Sequence, residues 1–215
     1  MTEIVLFGVS GSPYVRTAQM GLEEKQAPYR FEAMALGASK SPDYLARNPF
    51  GRIPLIEIGD FRLYETQAIL RYLDAAFPQP ALQPPDPQAI GRMNQIIGIN
   101  DWYLFPKVNA VITFNRIVGP VLLRTTPDEA ASAAALPMAR TCIGELERLL
   151  GDQAFLAGDS LTLADLMVAP QLDFLQATPE GKALLAGTAL SAWLGRMNER
   201  PSMQRTRRPG ALQGG

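Results

Sequence analysis

Histidine is absent from all 215 residues, and cysteine occurs once, at Cys142. The first absence removes Ser-His-Asp and Cys-His nucleophilic sites and any metal site built with imidazole. The second removes intrachain disulfides, CxxC redox pairs and zinc clusters, so no metal is expected. Cys142 falls among Ala139, Ile143 and Leu146, where a thiol packs as a small hydrophobe instead of serving as a nucleophile. No apolar run reaches the roughly 20 residues that span a bilayer. Met1-Thr2-Glu3 leads directly into a strand-like run, without the basic start and apolar core of a signal peptide. The expectation is a cytoplasmic protein that does not engage a membrane. Neither sign of charge dominates, with 20 Lys plus Arg against 21 Asp plus Glu, which leaves no electrostatic footprint for nucleic acid. Arg205, Arg207 and Arg208, beside Pro209 and Gly210, read as a frayed, solvated tail.

What is present divides the chain in two. Residues 3–7 form a short β-rich apolar run suited to a buried strand. Gly8 to Gly11 break it, and Ser12-Pro13 then reads as an N-cap with proline at the first helical position, opening a helix to about Lys25. A strand fits Tyr29 to Met34, and a short helix fits Pro42 to Arg47. A turn fits Asn48-Pro49-Phe50-Gly51, and a hairpin about Gly59-Asp60 joins Pro54–Ile58 to Phe61–Leu63. A helix from Thr66 to Ala76 carries Ile69, Leu70, Tyr72 and Leu73 at helical spacing. The order β-α-β-α-β-β-α makes residues 1–77 a compact α/β unit with a mixed sheet. Pro78, Pro80, Pro84, Pro85 and Pro87 mark 78–87 as a stiff linker. The remainder, 88–215, reads as helical: about 88–118 with a kink at Pro106, then 128–150, 162–177 and 181–198. Thr162 and Asp165 form a capping box at the third of these.

Three runs make the chain resemble the soluble glutathione transferase superfamily, specifically serine-type, phi-like and bacterial members. They are Ser12-Pro13-Tyr14-Val15-Arg16, then Asn48 to Leu55 with Leu63 to Ile69, and Leu161-Thr162-Leu163-Ala164-Asp165. The resemblance implies a thioredoxin-like N-terminal domain with a cis-proline and an all-α C-terminal helical bundle. It also implies a homodimer that conjugates the glutathione thiolate to hydrophobic electrophiles in detoxification. Glutathione would be a cosubstrate, and no cofactor would be needed.

The same resemblance assigns roles. Ser12 would donate its hydroxyl to the thiolate, with Ser10 and Tyr14 as fallback donors. As a bare N-cap, Ser12 would instead stabilise its helix by about 1 kcal/mol. Pro54 would follow a cis bond that turns the backbone of Ile53 towards the cysteinyl part of glutathione, as in edge-strand peptide recognition. Thr66, at a helix start, would offer its N–H to the γ-glutamyl carboxylate, with Glu65 accepting from the ammonium. Lys40 and Arg52 would hold the glycyl carboxylate. Ser39 stands where phi-like members often carry a histidine, a departure at the glycine end. Val9, Tyr103, Phe105 and Phe114 would line the electrophile site, and Asp101 would reach the partner subunit's glutathione. Other glutathione-dependent reactions (isomerisation, dehalogenation, peroxide reduction) and a non-catalytic scaffold are the alternatives.

Overall fold

Along β1, Ile4–Gly8, alternate residues are buried, the period of a strand with one face on the core. The computed structural model describes residues 3–207 and 210. By packing, the described residues divide into one unit that runs to Ala81 and includes Pro201–Arg207, and a second from Leu82 to Arg200.

In the first unit, β1 leads through α1 (Pro13–Glu24) to β2 (Tyr29–Ala33). A short α2 (Pro42–Leu45), β3 (Leu55–Ile58), β4 (Phe61–Tyr64) and α3 (Thr66–Ala76) follow. The sheet order is β2-β1-β3-β4, with β1 parallel to β2 and the other pairings antiparallel. Ile4, Leu6 and Ile56 pack with Ala18 and Leu22 of α1 and with Ile69 and Leu73 of α3 into one apolar cluster. This is a thioredoxin-like arrangement with a mixed four-stranded sheet. The buried Lys25 ammonium, at the C-cap of α1, pairs with Asp74 at 2.5 Å and donates to the carbonyl of Pro80.

The expectation of a frayed tail is overturned at Arg205, while Arg205 and Arg207 are solvent-exposed as expected. Pro201–Arg205 is a helix, α10, that lies along α1. Ser202 donates to Glu24 at 2.5 Å, Arg205 to Glu23 at 2.7 Å, and Arg16 to Met203 Sδ at 3.7 Å. Proline at its first turn and the acidic end of α1 supply what the basic composition alone did not reveal. Arg208 and Pro209, the other part of that expectation, lie outside the described residues.

The second unit is helical. Asp86 caps α4 (Pro87–Ile99) by accepting from Ala89 N–H at 2.8 Å. Where a kink at Pro106 and an end near 118 were expected, the helix continues as two π-helical runs, Asn100–Asn109 and Phe114–Leu123. A single α-helical turn, α5 (Ala110–Thr113), separates them. A wide π turn accommodates the missing N–H of Pro106, and later Pro120, without ending the helix. Then come α6 (Glu129–Leu150) and α7 (Leu163–Gln176). The single helix expected over 181–198 is two, α8 (Pro179–Leu185) and α9 (Ala189–Glu199), parted at Gly187 with φ +75°. Asp165 ties the unit together. Its wholly buried carboxylate accepts from Thr162 N–H and hydroxyl, Leu156 N–H and Trp193 Nε1, all within 3.1 Å. Burial pushes this carboxyl above the usual carboxylate range, and the four donors oppose that shift. Among the described residues no helix is long and apolar enough to cross a membrane.

Candidate active site

Strand register decides which loops can share a site. Gly8 at the end of β1 pairs with Ala33 at the end of β2, and Phe7 pairs with Leu55 at the start of β3. Leu55 in turn pairs with Tyr64 at the end of β4. The loops 9–12, 34–41, 48–54 and 65–66 therefore leave the sheet at the same edge. They carry Val9, Ser10, Ser12, Lys40, Arg52, Ile53, Pro54, Glu65 and Thr66.

The first loop is a tight turn in which Ser12 N–H donates to the carbonyl of Val9 at 3.1 Å, with Gly11 at φ +85°. A glycine is needed there because an L side chain rarely adopts that φ. Ser12 is the N-cap of α1, with extended backbone at φ −60° and ψ 128°, and its carbonyl accepts from Arg16 N–H at 2.9 Å. Its hydroxyl, however, makes no capping hydrogen bond. The hydroxyl is thus left beside the partial positive charge of a helix start without being spent on it. Ser12 is half-buried, as are Ser10, Val9 and Tyr14.

The second and third loops are joined by close backbone approach. Gly51 has φ +57°, and a Cβ there would sit 2.8 Å from Ser39 O and 2.9 Å from Lys40 Nζ. Lys40 reaches the carbonyl of Phe50 at 3.4 Å. Two side chains hold the carbonyl of Arg52: Tyr44 donates its hydroxyl at 2.7 Å and Asn48 its Nδ2 at 2.9 Å. Burial pushes the Tyr44 hydroxyl up to about 12, so it remains a donor at neutral pH. Asn48 Oδ1 also accepts from Phe50 N–H at 3.1 Å, a side-chain turn of the kind asparagine favours. The sequence read Asn48 only as part of a turn and missed Tyr44. The Ile53–Pro54 peptide bond is cis, as the resemblance implies. The ladder of β3 starts one residue later, at Leu55.

In the fourth loop, Glu65 is the N-cap of α3 with φ 72° and ψ 113°. That backbone region is uncommon for a residue bearing a side chain, and such outliers cluster at binding sites. Glu65 is exposed, while Thr66, the first helical residue, is buried. The helix expected over Thr66 to Ala76 is found with those bounds, and Glu65 is its N-cap.

The other candidates lie on the second unit. Tyr103 is 45% exposed, with Lys107 Nζ 5.0 Å from its ring centroid; Phe114 is 40% exposed and Phe105 half-buried. Asp101 is half-buried and accepts from Asn100 Nδ2 at 2.9 Å. Sequence reasoning passed over Trp102, 73% exposed, and the exposed run Val121-Leu122-Leu123. They lie on the two π-helical runs, whose period differs from the 3.6 residues of an α-helix.

Family models match both parts of the chain: the glutathione S-transferase N-terminal domain over residues 6–81 and the C-terminal domain over 129–196. Glutathione S-transferase F6 of Arabidopsis thaliana is 29% identical over 210 residues, covering 95% of this chain and 99% of the relative. Glutathione S-transferase 1 of Zea mays is 29% identical, covering 95% and 96%. Among solved structures, glutathione S-transferase III in its apo form aligns with a TM-score of 0.84 at 31% identity, covering 95% of each chain. Glutathione S-transferase-I bound with lactoylglutathione aligns with a TM-score of 0.84 at 28% identity, covering 98% and 99%. With both halves matched and the sheet-edge loops in place, the chain belongs to the glutathione S-transferase family.

Proposed function

We propose that this chain is a glutathione transferase in which Ser12 holds the cosubstrate's thiol as thiolate for attack on hydrophobic electrophiles. A free thiol has a pKa of about 8.5, so little is ionised at neutral pH. A hydroxyl donating to sulfur, at a helix N-terminus, favours the ionised form. The observation that carries the reading is the Ser12 hydroxyl, placed at the start of α1 yet making no capping bond. The thiol proton passes to solvent, the thiolate attacks an electrophilic carbon and a C–S bond forms; a leaving group then departs with the displaced electron pair, or, on a conjugated alkenal, the resulting enolate takes a proton from water. Ser12 keeps its proton throughout. The protein supplies a stabilised nucleophile and proximity, with glutathione as cosubstrate and no other cofactor.

Around the thiol, the Ile53 backbone, just outside the β3 ladder, would pair with the cysteinyl segment beside Pro54. The Thr66 N–H at the start of α3 would take the γ-glutamyl carboxylate, and the exposed Glu65 its ammonium. Lys40 and Arg52, on adjoining loops, would take the glycyl carboxylate. Exposed Tyr103 and Phe114, with Phe105, would offer apolar surface to the electrophile, and Val9 is proposed to meet it from the resemblance alone. Asp101 is proposed to reach the glutathione of a second subunit in a homodimer, two-fold dimers being the commonest assembly. A cytoplasmic detoxification role fits a chain whose single thiol is buried.

Ultraviolet absorbance of the bound thiolate, titrated against pH for the wild type and Ser12→Ala, tests this. The wild type should show a depressed thiol pKa that returns towards 8.5 in the variant. An ordinary pKa in the wild type sinks the proposal. A depressed pKa that persists in Ser12→Ala moves the role to Ser10 or Tyr14.

A further inference from the structure

Asn109 ends the first π-helical run and is 1% exposed; Gln171, in the middle of α7, is 0% exposed. Asn109 Nδ2 donates both its hydrogens to this one residue: to Gln171 O at 3.0 Å and to Gln171 Oε1 at 2.8 Å. The carbonyl of Asn109 accepts from the Thr113 hydroxyl at 2.6 Å, spanning the α-helical turn between the two π runs. Asn109 Oδ1 and Gln171 Nε2 remain buried without a partner.

A half-satisfied amide pair in an apolar interior costs stability compared with apolar side chains of the same shape. It is therefore a poor device for holding the helices together. It is a good one for fixing their register, because an amide–amide bond tolerates one alignment, whereas neighbours such as Leu104 and Val108 tolerate several. Register matters here because the flanking π runs carry the exposed apolar side chains of this unit. Trp102 and Tyr103 lie on one run, and Phe114, Val121, Leu122 and Leu123 on the other. A slip of one residue would rotate all of them.

We infer that Asn109 and Gln171 are positioning residues that lock the π-helical register and so set which electrophiles the enzyme accepts. This rests on the transferase reading above. Neither side chain touches substrate. They act through the backbone that presents Tyr103 and Phe114.

The test is the paired replacement Asn109→Leu with Gln171→Met, which removes both amides and leaves no orphaned group. Selectivity is read as the ratio of kcat/KM between chlorodinitrobenzene and 2-alkenals of increasing chain length. The ratio should shift by roughly tenfold, a modest part of what a 1 Å misplacement can cost, with the KM for glutathione unchanged and the melting temperature equal or higher. Acrylamide quenching of Trp102, read against the wholly buried Trp193, should change in the same variant without any turnover. A folded variant with unaltered selectivity and quenching overturns the inference. If the variant does not fold, hydrogen exchange of the wild type decides: amides of 100–109 and 168–174 should open as one block, and independent opening overturns it. A wild type without turnover defeats the transferase reading itself, a different failure from a wild type and variant that turn over with equal selectivity.

Discussion

The two units of this chain encode their sites differently. In the first, the candidate groups sit on or just after loops at one end of a sheet, and each loop is shaped by a residue with a backbone role: Gly11, then Gly37, then Gly51 with Pro54, then Glu65. In the second, the exposed aromatics sit on helices whose pitch changes twice within 24 residues, from Asn100 to Leu123. Chemistry in the first unit depends on local geometry and little on the core beneath it. Presentation in the second depends on buried contacts far along the chain. Variants should therefore separate: those in the loops of the first unit should act on glutathione chemistry or capture, and those that strand buried donors in the helical interior should act first on stability.

The largest effect belongs to the interior. Asp165→Ala strands the N–H groups of Leu156 and Thr162 and the indole of Trp193 in a dry interior. It should cost about 3–5 kcal/mol in chemical denaturation, as expected when one member of a buried charged network is removed. Activity per folded molecule should stay near wild type. A variant that keeps its denaturation midpoint but loses turnover would erase the contrast between the units.

Ser12→Ala is the counterpart. Removing one preorganised donor from a developing or resting anion lowers kcat by about 10²-fold or more. An N-cap serine would also cost about 1 kcal/mol of stability, but the Ser12 hydroxyl caps nothing. The melting temperature should therefore hold. Loss of stability on the capping scale, measured by calorimetry, would show that the hydroxyl serves the helix.

Gly51→Ala is expected to have a smaller, mixed effect. An alanine at φ +57° pays about 1–2 kcal/mol for the left-handed backbone, and its Cβ would press on Ser39 O and Lys40 Nζ. The two loops must part, so the KM for glutathione should rise several-fold with kcat nearly unchanged. Equal KM values in steady-state kinetics would disconnect the Lys40 loop from glutathione capture.

The same contrast explains what could be read from residues alone. The order of strands and helices in the first unit was legible because proline, glycine and asparagine punctuate it, and because Thr66–Ala76 keeps a clean helical period. Ser12, Pro54, Glu65 and Thr66 were legible through the resemblance that their spacing supports. The uncapped state of Ser12 was not, because propensity tells where an N-cap falls and not whether its hydroxyl is used. In the second unit, Pro106 and Pro120 argued for a kink and a stop, yet π turns absorbed both. The Asn109–Gln171 pair joins residues 62 positions apart, a contact no local period reveals. The pairing of α10 with α1 was hidden for the same reason.

Cys142 offers the weakest effect and the finest check on the interior. Burial pushes its thiol up to about 11, with Lys107 acting the other way. At pH 8 the native protein should resist alkylation by iodoacetamide, and the denatured chain should react freely, since only the thiolate is nucleophilic. The linkage has a definite sign. A group whose pKa is raised on folding contributes stability that is complete below its unfolded pKa and is lost as pH climbs through the folded one. The denaturation midpoint of the wild type should therefore fall between about pH 9 and pH 11 more steeply than that of Cys142→Ala. At neutral pH the thiol contributes no titration at all, and the two proteins should differ only by the packing of one small side chain. Rapid labelling of the native thiol at pH 8 would place Cys142 at an opening in the helical unit, and the interior would then be less closed than the apolar neighbours of Cys142 on α6 imply.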